Sequence, residues 1–353
     1  MLSSYVVPAF ATIGVCSVAL CAFNLTRWAY DVFLAPSSDA FLSKFRGDWC
    51  MITGAAGGTG RCFAERLAAK GLNLILVDIN EGAMEEMRRS LRALFPSVEV
   101  KTLRLDLMEE MRVVEGNLKA FMQDNGIDKI GVLLCCAGGV VSAGSLCHAL
   151  LRERPLSLLY RDVQYNVSST LLCCSFVLPY MKHNGRGLIM LMSSMSALAG
   201  LPGSPEYAGA KAYLRLWTWS IEEELRRDNI TITAFTPGFI TTPLCQNLRG
   251  PICATPESFV KWALHKCHRG PICNPHPKHA IVEAIGVNIL GIKYMRQQAE
   301  AASFEIARRV MSQKQQQPPS KNGPVLVEDP REKERILKAA QKRSIFFWPM
   351  TAG

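Results

Sequence analysis

The stretch WCMITGAAGGTGRCFAERLAAKG, residues 49–71, decides how the rest of the chain is read. A short apolar run, WCMITG, passes through a glycine-rich turn into a segment with helical spacing, TGRCFAERLAAKG. Gly54, Gly58 and Gly60 follow the pattern T-G-x-x-x-G-x-G, with Thr59 between the last two. Glycine lets the backbone turn tightly and lets a pyrophosphate approach the first amides of a helix, where the helix dipole favours anions. A glycine cluster alone also describes an ordinary turn. Its place between a buried strand and an amphipathic helix is what points to a dinucleotide cradle.

The same alternation continues outward from this unit. LNLILVD (72–78), VEVKTLRLD (98–106), IGVLLCCAG (130–138), GLIMLMSS (187–194) and ITITAFTPG (230–238) join WCMITG as six strands read as buried on both faces. Helical spacing fills the intervals at 59–71, 81–95, 111–126, around 156–183, and 207–229. Strands alternating with helices predict an α/β fold, a doubly wound parallel sheet in a single domain. Asp78 ends the second strand, where a carboxylate accepts hydrogen bonds from an adenosine ribose and repels the 2′-phosphate that distinguishes NADP; Ile79 follows it rather than an arginine. NAD(H) is therefore favoured over NADP(H), Arg61 being the one nearby cation able to reverse the preference. Asp78 also reads as a turn or capping residue, and Asp106, which could meet the adenine, has the same alternative.

Composition bounds the function. The 353 residues are 49% hydrophobic and 20% charged, which excludes wholesale disorder. A net charge of +10 comes from scattered Lys and Arg with no nucleic-acid motif, so a membrane surface or an anionic cofactor or substrate is the expected partner. Thirteen cysteines, several inside apolar runs, describe reduced thiols facing the cytosol. HKCHRGPICNPHPKH, 265–279, invites a metal reading, but it lacks a C-x-x-C pair and matches no common zinc spacing, so no metal is expected. The uncharged run from Tyr5 to Phe23 is long enough to cross a hydrocarbon core, and no positive residue precedes it as in a signal peptide. The expected organisation is a transmembrane anchor over 1–30, a linker over 31–47, the α/β domain over 48–312 with a substrate-side extension at about 239–300, and a mobile tail over 313–353. AIVEAIGVNILGIKYM, 280–295, reads as a membrane-lying or core helix rather than a second span.

In GSPEYAGAKAYLRLW, 203–217, Tyr207 and Lys211 lie four positions apart and share one helix face. A nearby ammonium lowers a phenol's pKa and suits it to exchange a proton with an alcohol or ketone, although the spacing alone also describes a surface pair. The pair has company. TGAAGGTG, CCAGG, YNVSS, a serine pair ending in Ser194, YAGAK thirteen residues later and TPGFITTP resemble, in content and order, the short-chain dehydrogenase/reductase family over roughly 48–245. The resemblance implies a Rossmann-type oxidoreductase. Tyr207 would be its acid/base, Ser194 would orient the substrate oxygen, Lys211 would bind the nicotinamide ribose, and Asn166 would hold a water in the proton relay. Ala137, Gly138, Pro237, Gly238 and Thr241 would complete the cofactor site. A narrower resemblance, carried by the anchor, by TPESFVKWALHKCHRG and by HAIVEAIG, is to membrane-anchored very-long-chain 3-oxoacyl-CoA reductases and 17β-hydroxysteroid dehydrogenase relatives. It implies a lipid-like substrate, an endoplasmic-reticulum membrane with the domain in the cytosol, and a helix at Tyr207 that joins subunits. The sequence departs from that pattern at Cys136, where asparagine is usual, and at Asp78-Ile79, where Ser-Arg is expected of an NADPH-using enzyme. Cys136 is also the feature that favours the competing class, a nucleotide-binding scaffold with weak or no turnover.

Overall fold

The computed structural model describes residues 2–140, 154–245 and 247–302. The tail expected over 313–353 lies outside them. The chain forms two compact units, Met1–Ser37 and Ser38–Gly353. The first holds helix α1, Leu2–Ala29, which runs on through a wider turn at Tyr30–Leu34. Phe10–Leu34 is long and apolar enough to cross a membrane, and its described side chains from Phe10 to Leu25 are exposed. The second unit begins earlier than the end of the linker read at 31–47. Ser38 donates its amide to the His265 carbonyl, and Leu42 and Phe45 are fully packed in the core.

Within the second unit, seven parallel strands are ordered β3-β2-β1-β4-β5-β6-β7. They are β1 Trp49–Thr53, β2 Asn73–Asp78, β3 Val100–Arg104, β4 Val132–Cys135, β5 Gly187–Met192, β6 Ile230–Phe235 and β7 Ile272–Cys273. Two departures from the six expected strands have physical reasons. The seventh is a two-residue strand inside the Cys/His-rich stretch, formed because Ala234 and Phe235 of β6 still have a free edge for Ile272 and Cys273. At the other end β3 is not buried on both faces: as an edge strand it leaves Lys101 to Leu103 half-buried and Arg104 exposed.

The helices are α2 Asp39–Leu42, α3 Gly58–Ala68, α4 Glu81–Leu94, α5 Met111–Asp124, α6 Leu156–Val163, α7 Ser169–Asn184, α8 Ser196–Ala199, α9 Pro205–Arg227, α10 Pro256–His265 and α11 Pro277–Ile285. They cover both sheet faces and close two apolar cores, one centred on Phe63, Phe235 and Phe259, the other on Val177, Met181 and Ile189. Strand register then fixes the chemistry. Five central and flanking strands end along one carboxyl edge, bringing Gly54, Asp78, Cys136, Ser193 and Thr236 to the same rim. The apolar stretch 280–295 is not one helix: it breaks at Gly291, whose φ of +79° suits glycine.

Candidate active site

At the nucleotide end, the β1 to α3 turn is tight. A Cβ on Gly54 would lie 2.7 Å from the Ala137 amide, and one on Gly60 would lie 2.2 Å from the Gly54 carbonyl. Only glycine fits either place. Gly57 caps α3 without a side-chain bond, so no side chain covers the helix's first amides there. Asp78 reaches into this turn: one carboxylate oxygen accepts the Ala56 amide at 3.0 Å and the other accepts the Asn80 amide at 3.0 Å. It thus braces the glycine turn and begins the bend after β2, while Asn80 caps α4 by accepting from Ala83. Arg61 is held by Glu65 at 3.6 Å and Glu86 at 3.5 Å. Ile79 is exposed. Asp106 accepts the Met108 amide at 2.9 Å and is exposed at its turn.

Toward the centre, the end of β4 is held without an asparagine at 136. The Cys136 amide bonds the Thr53 carbonyl at 3.1 Å, and the Ala137 amide bonds the Thr53 hydroxyl at 3.3 Å. Burial pushes the Cys136 thiol up to about 12, with Lys211 opposing. Gly138 is where three expected residues meet: a Cβ there would lie 3.0 Å from both Asn166 Oδ1 and Lys211 Nζ. Asn166 is fully buried in a wider helical turn, Gln164–Ser168. Its side chain accepts the Gly139 amide at 2.9 Å and donates to the Gly139 and Asp162 carbonyls at 2.8 and 2.9 Å. The side chain therefore clamps the loop after β4, and its polar atoms are already engaged.

Ser194, Tyr207 and Lys211 converge beyond this loop. The Ser194 hydroxyl accepts the Ser196 amide at 3.1 Å and lies close enough to the Tyr207 phenol to oppose the rise in its pKa. Lys211 Nζ donates to the Met192 carbonyl at 2.8 Å and sits 5.4 Å from the Tyr207 ring centre. Burial dominates both groups. It raises the phenol to about 12, with Cys245 adding and Ser194 opposing, and lowers the ammonium to about 8. The expected lowering of the phenol by Lys211 is absent because the ammonium turns toward the β5 carbonyl. Thr241 donates its hydroxyl to the Leu248 carbonyl at 2.9 Å, closing the loop after β6, and the Pro237 carbonyl accepts the Met195 amide at 2.9 Å. Gly238 lies against His279: a Cβ would come within 3.0 Å of its ring and 3.2 Å of Met195 Sδ.

Sequence reasoning missed two groups that place these residues. Ser193 donates to the Lys211 carbonyl at 2.8 Å and so ties α9 to β5. Arg154, its side chain 2% exposed, pairs with Glu206 at 2.6 Å and also donates to the Gly203 carbonyl, which fixes the turn before Tyr207. Only the acid in the first turn of α9 hinted at the second. The Cys/His stretch is dispersed. His268 meets Ser38 at 2.6 Å, His276 meets Ser258 at 3.0 Å, and no group of three metal-ligating side chains occurs among the described residues.

A glycine turn, the Asp78 carboxylate and a tyrosine-lysine pair thus lie along one edge of a parallel sheet. The model of the short chain dehydrogenase family matches residues 48–251, and the chain belongs to that family, whose members are NAD(P)-dependent dehydrogenases and reductases acting on CH–OH and C=O groups. Among curated relatives, the very-long-chain 3-oxoacyl-CoA reductase of Pyricularia oryzae is 28% identical over 297 residues, spanning 80% of this chain and 86% of that protein. The enzyme of the same name from Phaeosphaeria nodorum is 30% identical, spanning 74% and 75%. Among solved structures, a 7β-hydroxysteroid dehydrogenase has a TM-score of 0.62 at 23% identity, covering 73% of this chain and 98% of that one. A 3-ketoacyl-(acyl-carrier-protein) reductase from Brucella melitensis in complex with NADH has 0.54 at 21%, covering 63% and 91%. These two share the fold.

Proposed function

We propose that this chain is a membrane-anchored oxidoreductase that moves a hydride between a nicotinamide and a lipid ketone or alcohol, of the 3-oxoacyl-CoA or hydroxysteroid kind. The observation that carries the reading is the convergence of Ser194, Tyr207 and Lys211 with Gly138 at the carboxyl edge, next to the glycine cradle. Gly54, Gly58, Thr59, Gly60, Ala137, Gly138, Pro237, Gly238 and Thr241 would hold the cofactor, which supplies the hydride donor or acceptor carbon. Ser194 donates to the substrate oxygen and fixes it beside Tyr207. Tyr207 gives or takes the proton at that oxygen. Lys211, its ammonium held by the Met192 carbonyl, would bind the ribose, and Asn166 supports both by fixing the loop at Gly138 and Gly139.

NAD(H) is the favoured cofactor. Asp78 sets a carboxylate beside the glycine turn at the end of β2, Ile79 offers no cation, and Arg61 pairs with two glutamates. The names of the curated relatives support a long acyl thioester, and the Phe10–Leu34 helix supports a membrane location, with the endoplasmic reticulum and a cytosolic domain as the assignment. Exposed Tyr213, Leu216 and Trp219 on α9 support a homo-oligomer formed through that helix. The test is hydride transfer by the purified full chain in vesicles, with NADH and NADPH against a long-chain 3-oxoacyl-CoA and a steroid ketone. Turnover of the acyl thioester with NADH supports the reading, and no turnover of any ketone with either cofactor overturns it in favour of a scaffold.

A further inference from the structure

The corner of the helical hairpin after α11 is built the wrong way round for water. From Ile285 the chain passes through a wider turn at Gly286–Leu290, breaks at Gly291, and resumes as a helix over 292–302. It also reverses direction. Gly286 and Met295 are nine positions apart, yet a Cβ on Gly286 would lie 2.6 Å from Met295 Cγ, a contact that a straight helix rising about 1.5 Å per residue forbids. Met295 is thereby buried, and the residues between are pushed out at the tip.

Corners in water are normally polar, rich in Gly, Asn, Asp and Ser. This one exposes Ile285, Val287, Ile289, Leu290, Ile292 and Tyr294, with Ile289 75% exposed. Its one uncharged polar side chain besides the tyrosine, Asn288, donates its amide to the Ala284 carbonyl at 2.9 Å. Charge around the corner has one sign. Residues 284–299 include Lys293 and Arg296 and no Asp or Glu, and Glu283, just before them, is turned aside to Asn274 at 2.7 Å. An apolar tip with a basic collar suits a bilayer with anionic headgroups, where the side chains enter the acyl region and the cations stay at the headgroups.

We infer that the Ile285–Tyr294 corner is a second membrane contact, dipping the substrate-side extension into the bilayer surface. The inference rests on the membrane-anchored reading above. If the anchor crosses a bilayer, only residues 35–37 separate its end from Ser38, which already belongs to the folded domain. A lipid substrate could then pass to the enzyme from the bilayer rather than through water.

The test uses the full chain in vesicles of phosphatidylcholine and phosphatidylserine with brominated acyl chains, which quench tryptophan on contact. Ile289→Trp places a reporter at the tip. Leu94→Trp places one at the exposed end of α4, which packs beside the opposite sheet edge. Loss of native signal in Trp28→Phe isolates the anchor's own reporter. The expected result is that the emission added by Ile289→Trp is mostly lost in brominated vesicles while that added by Leu94→Trp is kept. If Trp28 is quenched and the Ile289→Trp emission is not, the anchor stands and the corner does not enter the bilayer. A blue-shifted, unquenched Ile289→Trp then assigns the corner to a second copy of the chain or to residues 303–353. If neither is quenched, both membrane readings fall. In activity, Ile289→Asp/Ile292→Asp lowers kcat/KM about tenfold for a bilayer-held long-chain ketone and leaves a soluble short-chain ketone unchanged. Equal loss on both substrates overturns the inference.

Discussion

The two ends of the carboxyl edge are held together differently. At the nucleotide end, polar groups are satisfied by near neighbours in sequence or by the adjoining turn. Asp78 bonds Ala56 and Asn80, Asp106 bonds Met108, and each group keeps contact with solvent. At the catalytic end the bonds run between distant elements and start from buried side chains: Lys211 to Met192, Ser193 to Lys211, Asn166 to Gly139, Arg154 to Glu206. A local, solvated site can change its ligand preference by one or two substitutions. A buried site wired across elements is tuned as a unit, and its losses fall on rate.

The largest break in that comparison is Tyr207→Phe. It removes one hydroxyl and should lower kcat by about 10² to 10⁴-fold, with the cofactor KM within a few-fold of wild type. Retention of more than about a tenth of the rate would mean that another group moves the proton. Lys211→Met follows, with kcat/KM down about 10²-fold and weaker cofactor binding, because charge and ribose contact are lost together. It also has a stability signature. The folded chain holds Lys211 at about 8, below the ordinary 10.5, so it binds fewer protons than the unfolded chain across that window. Wild-type stability therefore gains from this residue as pH rises from about 8 to 10.5, and the variant should lose that slope in denaturant titrations.

A third prediction concerns the floor beneath Gly238. Burial holds His276 and His279 at about 4, well below the ordinary 6.5, so protons bind the unfolded chain first as pH falls. Their contribution is present above 6.5 and is lost on the way to 4. His276→Asn/His279→Asn should flatten the fall of the thermal midpoint over this range. An unchanged slope would place the acid sensitivity elsewhere. The smallest effect is at the nucleotide end: Asp78→Ser/Ile79→Arg should shift the kcat/KM ratio of NADPH to NADH upward about tenfold, by removing a repulsion and adding a cation. A wild type that already prefers NADPH would show that Asp78 serves only as the brace of the glycine turn.

What was legible in the sequence divides along the same line. WCMITGAAGGTG, the strand endings and the Tyr207-Lys211 spacing are local patterns, and local geometry follows from them. β7 was invisible because two residues carry no period and exist as a strand only through β6. Ser193 looked like part of a serine pair, and nothing nearby in sequence says that it holds the Lys211 carbonyl. Arg154 lies 52 positions from Glu206, so their pairing depends on the completed fold. The 280–295 stretch was read by composition as one apolar helix. Its reversal depends on Gly286 receiving Met295, a packing event that no hydrophobic pattern encodes.

The most direct test of the central claim follows one atom. With the full chain in vesicles, NADH carrying deuterium at both C4 positions and a long-chain 3-oxoacyl-CoA, the 3-hydroxyacyl product should carry deuterium at C3 in wild type, and Tyr207→Phe should form almost none. Product without deuterium, or no product from any lipid ketone with either nicotinamide cofactor, would contradict the assignment of Ser194, Tyr207 and Lys211 as a hydride-transfer site.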